Sequence, residues 1–427
     1  MPHVRLGEIA SFVRKGIFDI NADAYTETGV PFVRITNIQS GLISTDNIAF
    51  IPPDIHEAES KTALFRGDIV LSKTAYAAAA WVNLTECNAS QDTVAVRLSP
   101  AGRKRLRSGA IVTFLNSAHG RALMWRQFQG NVQAHLSLPD AKKLPLPIFG
   151  EPMQQLLEES LIKADASTIR SKQSLAAAEQ TLLHALGLDA WQPPEPLTYM
   201  RRATEVLTAV RLDAEHFKPK FDDLIAHLIA GGDAVRLDKV LSFCERGQQP
   251  NYANEGVTVV NSRHVRTDAV IIDGENRHAT VEDKTLLIRH GDILLNGTGV
   301  GTIGRVTTYL HDTPALPDNH VTILRLHPES GFDPVFLAVQ LAGVVGQTQV
   351  AQHTRGSSGQ LELYPQDIRR ILVWRAPREM QLAVRKNIEA AHAARREAQA
   401  LLARAQRGVE IAIEQGEPAA LTLLDVK

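Results

Sequence analysis

Apolar positions along this chain form two long seams. From 157 to 185, Leu157, Leu161, Ala164, Thr168, Ser171, Leu175, Ala178, Leu182 and Ala185 alternate steps of four and three. From 384 to 409, Val384, Ile388, Ala391, Arg395, Ala398, Leu402, Ala405 and Val409 do the same. A mean step of 3.5 residues is the seam of a coiled coil and predicts two long helices. Alanine recurs at matching places, Ala164 with Ala391 and Ala178 with Ala405, where small side chains let helices approach closely. Gly187 and Gly416 stand where helix stops belong. Each helix could lie buried on its own domain. The length of the seams and their common register favour the helices pairing with each other or with a partner.

Outside the seams, short β-branched runs (ITNIQSGLI, DTVAVRL, VTILRL) alternate with helical stretches such as LRSGAIVTFLNSAHGRALMWRQF and FDPVFLAVQLAGVVGQTQ. These predict two α+β domains with modest sheets. The runs repeat in order. VRLGEIASFVRKG at 4–16 pairs with VRLDKVLSFCERG at 235–247, and GVPFVRITNI at 29–38 with GVTVVNSRHV at 256–265. GDIVLSKTA at 67–75 shares five of nine residues with GDILLNGTG at 291–299. DTVAVRLSP at 92–100 then pairs with HVTILRLHP at 320–328, and HLSLPDAKKLPLP at 135–147 with QLELYPQDIRRILVW at 360–374. A period above 200 residues is too long for a solenoid and reads as a duplicated domain plus connector. Between the copies, QPPEP is a stiff linker element, and a short helix is expected from Ala214 to Ala230.

The 427 residues carry 46 Lys+Arg against 47 Asp+Glu, so any anion-binding surface must come from uneven placement of charge rather than excess. The two cysteines, Cys87 and Cys244, are too far apart in sequence for a CxxC site or a disulfide framework, which fits a reducing compartment. The first residues hold no apolar run of signal-peptide length, and no window approaches a membrane span, so the cytoplasm is the expected location.

Catalytic signatures are weak. Gly299 to Gly304 spells GxGxxG, but the following RVTTYL is β-branched, which predicts a glycine-rich hairpin rather than a dinucleotide site. Asp333-Pro334-Val335-Phe336 is the nearest approach to a methyltransferase tetrapeptide and reads as an ordinary helix start. Asp54, Glu59 and Lys61 have the letters of a nuclease site at unsuitable spacing and read as a solvated loop. The 15 histidines show no metal spacing, and neither GxSxG nor a Walker loop occurs.

Taken in order, these phrases resemble the DNA specificity subunit of Type I restriction–modification enzymes. The resemblance is carried by VRLGEI, GVPFVRITNIQSGLI, GDIVLSKTA, SLPDAKKLPLPIFGEPMQQLLEE, TRGSSGQLELYPQDIRRILVWRAPREMQLAV and the linker phrase RLDAEHFKPKFDDL. It covers nearly the whole chain. It implies an α+β fold with a pseudo-two-fold internal repeat: two similar target-recognition domains separated by two long helices in an antiparallel coiled coil. The boundaries read as 1–150, first recognition domain; 151–187, first spacer helix; 188–234, linker; 235–377, second domain; 378–416, second helix; and 417–427, tail. The resemblance implies a subunit that catalyses nothing and holds no cofactor. Its partners are double-stranded DNA and adenine-N6 methyltransferase subunits, two per chain, which use S-adenosylmethionine and flip the target base. Restriction subunits using ATP and Mg²⁺ join in some assemblies. A helix from 157 to 185 spans roughly 43 Å at 1.5 Å per residue, against about 34–36 Å for a turn of B-DNA. Two departures stand out: AYAAAAW replaces the glycines of the second copy, and the net charge is near zero.

Base contacts come mostly from Arg, Lys, Asn and Gln, and phosphate contacts add affinity. Flanking the shared phrases in polar surroundings, the candidates in copy one are Arg34, Lys73, Thr74, Tyr76, Arg121, Gln133 and His135. In copy two they are Arg263, Arg266, Asn296, Thr298, Thr302, Arg305, His353, Arg355, Ser357 and Ser358. For each, the alternative is an ordinary solvated side chain. Arg103, Lys104, Arg105 and Arg107 form a phosphate-contact candidate or a solvated helix start. Three other readings of the whole chain stand beside this one: a coiled-coil adaptor that binds only proteins, an enzyme with an unrecognised site, and a specificity subunit of a different methylation-based defence system or a combined restriction enzyme.

Overall fold

The structure is a computed structural model and describes residues 1–20, 22–39, 41–130, 134–267, 269–356 and 361–425. The chain divides into two compact units, 1–169 with 394–427, and 170–393. The two long helices expected from the seams form as Glu151–Ala185 and Arg378–Gln415, and each contributes to both units.

In the first unit the main sheet has the strand order Ala10–Lys15, Thr93–Leu98, Ile69–Ser72, Ala79–Trp81, Gly41–Ile43, Ile38–Gln39. A second sheet joins Ala49–Ile51, Val30–Val33, Glu86–Ala89 and Leu64–Phe65. Helices Ser108–Asn116 and Ala118–Arg126 pack on the main sheet through an apolar cluster that includes Ile111, Phe114, Leu115 and Met124. The same cluster takes in Leu157, Leu161 and Ala164 from one long helix and Ala398, Ala405 and Val409 from the other, with Leu402 partly buried beside them. Gly41, with φ +99°, lies against both Leu161 and Leu402. The Gly150 N–H, just before the first helix, donates to the Glu417 carboxylate just after the second, at 2.9 Å. Residue numbers therefore rise along one helix as they fall along the other, so the two run antiparallel here.

The second unit repeats this plan. Its sheet order is Leu241–Arg246, Val321–Leu326, Ile293–Asn296, Val306–Thr308, strand for strand the counterpart of the first four in the first unit. A mixed second sheet joins Tyr252–Ala253, His278–Ala279, Val257–Val260 and Ala315–Pro317. Helices Pro334–Ala342 and Val344–His353 take the place of the earlier helix pair. Ala178, Leu182, Val384 and Ile388 are buried in this unit's core, with Leu175 partly so, and the Ser171 hydroxyl donates to the carbonyl of buried Ala391 at 2.8 Å. The expected linker helix is split into a 3-10 turn, Ala214–Phe217, and Pro219–Ala230, because Pro219 has no N–H to continue the turn. An unforeseen short helix, Ala203–Ala209, has no buried residue.

The shared phrase GDI has a physical cause. Gly67 and Gly291 sit at φ +93° and +88°, which favour glycine. The next residue, Asp68 or Asp292, is buried. Its carboxylate accepts the N–H three residues back, from Phe65 at 2.9 Å or Arg289 at 2.7 Å. It is then clamped by the arginine of VRL or LRL in the neighbouring strand. Arg97 reaches Asp68 at 2.6–3.1 Å and also the Ala63 carbonyl. Arg325 reaches Asp292 at 2.7–2.8 Å and also the Leu287 carbonyl. Each guanidinium lies over a phenylalanine of the next strand, Phe12 or Phe243. The clamp closes the turn and fixes where the strand after it emerges.

Candidate nucleic-acid interface

In the first unit, the strand Ile69–Ser72 ends in a loop that its last residue closes. Ser72 N–H donates to the Ala78 carbonyl at 2.9 Å, and the Ser72 hydroxyl accepts the Ala78 N–H at 2.8 Å. Ala75 takes φ +64° to make the turn. Beside the loop stands a hairpin of Phe128–Gln129 and His135–Leu136. Thr74 bridges to His135, and the Leu136 N–H donates to the Lys73 carbonyl at 2.8 Å. Tyr76 donates its hydroxyl to the Ile35 carbonyl at 2.6 Å, tying in the segment that carries Arg34, and burial raises its pKa.

The second unit builds the same pair differently. Asn296 N–H donates to the Arg305 carbonyl at 2.9 Å and Gly304 N–H to the Asn296 carbonyl at 2.8 Å, closing the glycine-rich 297–304 turn. This turn joins the antiparallel strands Ile293–Asn296 and Val306–Thr308, so the GxGxxG is a hairpin, as expected. Thr298 bridges to Glu362, and the Leu363 N–H donates to the Gly297 carbonyl at 2.8 Å. Arg355 and Glu362 exchange backbone hydrogen bonds at 2.8 Å in the adjoining hairpin. Thr74 thus matches Thr298, and His135 matches Glu362.

In copy one the structure brings Lys73, Thr74, Tyr76 and His135 together. Arg34 lies beside them through Ile35, with its guanidinium on the Asn47 carbonyl at 2.5 Å and over the Tyr25 ring. Burial, and then the nearby Lys15 charge, lower the Lys73 pKa, so two cations share this surface. Arg121 is exposed on the helix Ala118–Arg126 that leads into the hairpin. Gln133, Ser357 and Ser358 lie outside the described residues.

In copy two Thr298, Thr302 and Arg305 share the turn. Thr302 turns its hydroxyl inward to the Thr298 carbonyl at 2.9 Å, Arg305 reaches the Gly301 carbonyl at 2.7 Å, and Thr298 meets His320 Nδ1 at 2.6 Å. Burial, then the Arg266 charge, lower the Arg305 pKa. Arg263 is exposed and 3.6 Å from Glu275.

Two expected readers, Asn296 and His353, are corrected by their burial, and a third, Arg355, is partly engaged within the protein. Asn296 is fully buried and donates its amide to the Ser262 carbonyl at 2.9 Å. His353 is buried against His216, and burial pushes its pKa down to about 4. Arg355 is engaged by Asp367 through two bonds of 2.9 Å, which raise its pKa. In the basic cluster, Arg107 is held by Glu151 and Glu158, and the half-exposed Arg103 lies 3.7 Å from Asp68.

Sequence reasoning missed Lys15 and Arg246, the basic residues before the paired glycines of VRKG and ERG. Arg246 donates to the Leu363 carbonyl at 2.8 Å and lies over Tyr364 beside the second hairpin. Their matched position in the repeat was the available signal.

The remaining catalytic candidates are structural. Asp333 caps its helix through the Val335 N–H at 3.0 Å and pairs with Arg385 at 3.0 Å. Asp54 lies in a helix, Pro53–Ala58, rather than the expected loop, and Lys61 pairs with Glu59 at 3.0 Å. Cys87 and Cys244 are buried thiols pushed up to about 12. Among the described residues, no group of three His, Cys, Asp or Glu could hold a metal, and no single helix is long and apolar enough to cross a membrane.

No protein-family model and no curated protein match the chain. Solved structures it is similar to over nearly its whole length include S subunits of Type I restriction–modification systems. One is the S subunit from M. genitalium, 10% identical, with 99% of this chain and 95% of that chain covered at a TM-score of 0.40. Another is the HsdS subunit from Thermoanaerobacter tengcongensis, 15% identical, with 97% of each chain covered at 0.30. A third comes from work on complex assembly and conformational transition of the type I R-M system, 16% identical, with 99% and 97% covered at 0.30. Likeness at this level assigns no role to any residue.

Proposed function

We propose that this chain is the non-catalytic sequence-specificity subunit of a Type I restriction–modification complex. Each unit reads one half of a bipartite, asymmetric DNA site, and the long helices dock adenine-N6 methyltransferase subunits. One observation carries the reading: a single scaffold is built twice, with the same clamp and strand order, yet carries two chemically different loop-and-hairpin surfaces. Copy one offers Lys73, Thr74, Tyr76 and His135; copy two offers Thr298, Arg305, Arg266 and Arg263. Arginine and lysine suit guanine edges and phosphate, while Thr and Tyr hydroxyls add hydrogen bonds. Cofactor chemistry belongs, in this reading, to the partners: S-adenosylmethionine in the methyltransferase, ATP and Mg²⁺ in any restriction subunit.

The test is to co-express the chain with its methyltransferase partner and map N6-methyladenine in host DNA by long-read sequencing. One bipartite asymmetric motif is expected, and replacing 235–377 should change only one half of it. An assembled complex that methylates without any motif would refute the specificity role.

A further inference from the structure

Several segments of the first unit meet at one turn. Strands Ala10–Lys15 and Ile69–Ser72 both run antiparallel to Thr93–Leu98, and Val94 pairs with Lys15 on one side and Leu71 on the other. Both strands therefore leave the sheet at the same end, beside the turn 89–92. The Ile17 N–H donates to the Ala89 carbonyl at 2.7 Å, the Lys73 N–H to the Asp92 carbonyl at 2.9 Å, and the Ser90 N–H to the Val33 carbonyl at 2.9 Å. Lys15, Arg34 and Lys73 thus flank one turn, where they outnumber Asp19 and Asp92.

Phe18 is the apolar member of this group. Ile17 is buried in a cluster with Phe32 and Ile51. Side chains of extended chain alternate between faces, and Phe18, the next residue, is 69% exposed. Asp19, at φ +59°, turns the chain directly after it. The Lys15 ammonium lies over the Phe18 ring, 4.5 Å from its centroid. Single exposed apolar side chains are ordinary on protein surfaces. This one is set apart by its place among the cations that flank the reading loop. In the second unit Gly247 presses on the carbonyls of 317 and 318 as Gly16 presses on those of 89 and 90, and the chain leaves it through Gln248 and Gln249, both exposed. The same exit therefore carries an aromatic ring in one copy and amides in the other.

We infer that Phe18 is a specificity-determining residue of the first unit, packing on the 5-methyl group of a thymine. This rests on the functional reading above and extends it to one contact. Thymine is the base that offers an apolar group in the major groove. Insertion of the ring between two bases is disfavoured, because stacking on both faces would displace Lys15, whereas a methyl group needs only the free face or the edge. Lys15, held beside the ring, is left to meet phosphate or a guanine edge.

The experiment first maps the motif methylated by the assembled complex and takes the half that survives replacement of 235–377. Binding is then measured to duplexes in which deoxyuridine, which pairs like thymidine but lacks the methyl group, replaces each thymine of that half in turn, on either strand. One position should weaken binding about fourfold, the worth of one buried methyl. With Phe18→Ala that replacement should have no effect, and with Phe18→Leu part of the effect should remain, both at the parent Tm. A half-site in which no thymine responds to loss of its methyl, or a response that Phe18→Ala leaves intact, would overturn the inference. So would weaker assembly of Phe18→Ala with the methyltransferase at unchanged DNA affinity, which would make the ring a protein contact. An assembled complex without any motif would overturn the functional reading, and this contact with it.

Discussion

Breaking the clamp of the second unit tests why the GDI phrase recurs. The Asp292 side chain is 3% exposed and the Arg325 side chain 21%. Arg325→Ala would leave a buried carboxylate with only the Arg289 N–H as partner, and Asp292→Ala would strand that N–H and most of the guanidinium. Removing one partner of a buried pair costs about 3–5 kcal/mol. The partial exposure of Arg325 points to the lower end, about 3 kcal/mol. For a unit of this size each kcal/mol moves Tm by about 2–4 °C, so a fall of roughly 6–12 °C is expected. The double replacement Asp292→Leu with Arg325→Met removes both charges and should cost less than the sum of the singles. Differential scanning fluorimetry on the single and double variants, repeated for Asp68 and Arg97, measures this. Single variants within 2 °C of the parent, or strictly additive losses, would refute the clamp as the reason for the repeated phrase.

Lys73→Ala should reduce the slope of log affinity against log salt by about one if Lys73 contacts phosphate, read by DNA titration of the assembled complex at several salt concentrations. His353 is held at about 4 against an ordinary 6.5, so the folded state takes up this proton later than the unfolded chain. Its contribution to stability is full above about 6.5 and is lost as pH falls toward about 4, by at most about 3 kcal/mol. His353→Gln should flatten denaturant stability across that window. Burial is the largest cause of the His353 shift; the His216, Arg370 and Arg211 charges add to it and Asp367 opposes it.

What the sequence disclosed follows from which constraints are local. A 3.5-residue seam survives in the letters because every seam position meets the same kind of neighbour, so both long helices were legible; the first begins six residues before its seam and ends with it, and the second runs six residues past its seam at each end. The repeated landmarks were legible where backbone geometry permits little else: Gly67 and Gly291 at positive φ, and Gly16 and Gly247, where a Cβ would press on carbonyls of 89–90 and 317–318. The surface was less legible, because a polar letter does not name its partner. Asn296 reads as a base-reading residue, yet it is spent on the Ser262 carbonyl 34 residues away. Arg355 reads as free in a polar loop, yet Asp367 engages it. His353 is buried by a segment more than 130 residues earlier in the chain.

The same distinction decides how specificity could be transferred. The clamp residues are identical in both copies, so the strand entering each loop is launched alike, while the positions beyond it differ: Lys73 against Gly297, Ala75 against Gly299, His135 against Glu362. Loop and hairpin are not independent, since the Leu136 N–H fastens to the Lys73 carbonyl and Thr74 bridges to His135. Moving 73–78 alone into another subunit of this type would leave those bonds facing a hairpin of different sequence and turn length. The expected outcome is a complex that assembles but loses one half of its motif without acquiring a new half. Moving 73–78 together with 128–136 carries both sides of the bridge and should transfer recognition of that half, read by mapping N6-methyladenine. If the loop alone transfers it in full, the hairpin is support rather than reader, and the pairing of the two as one reading surface is wrong.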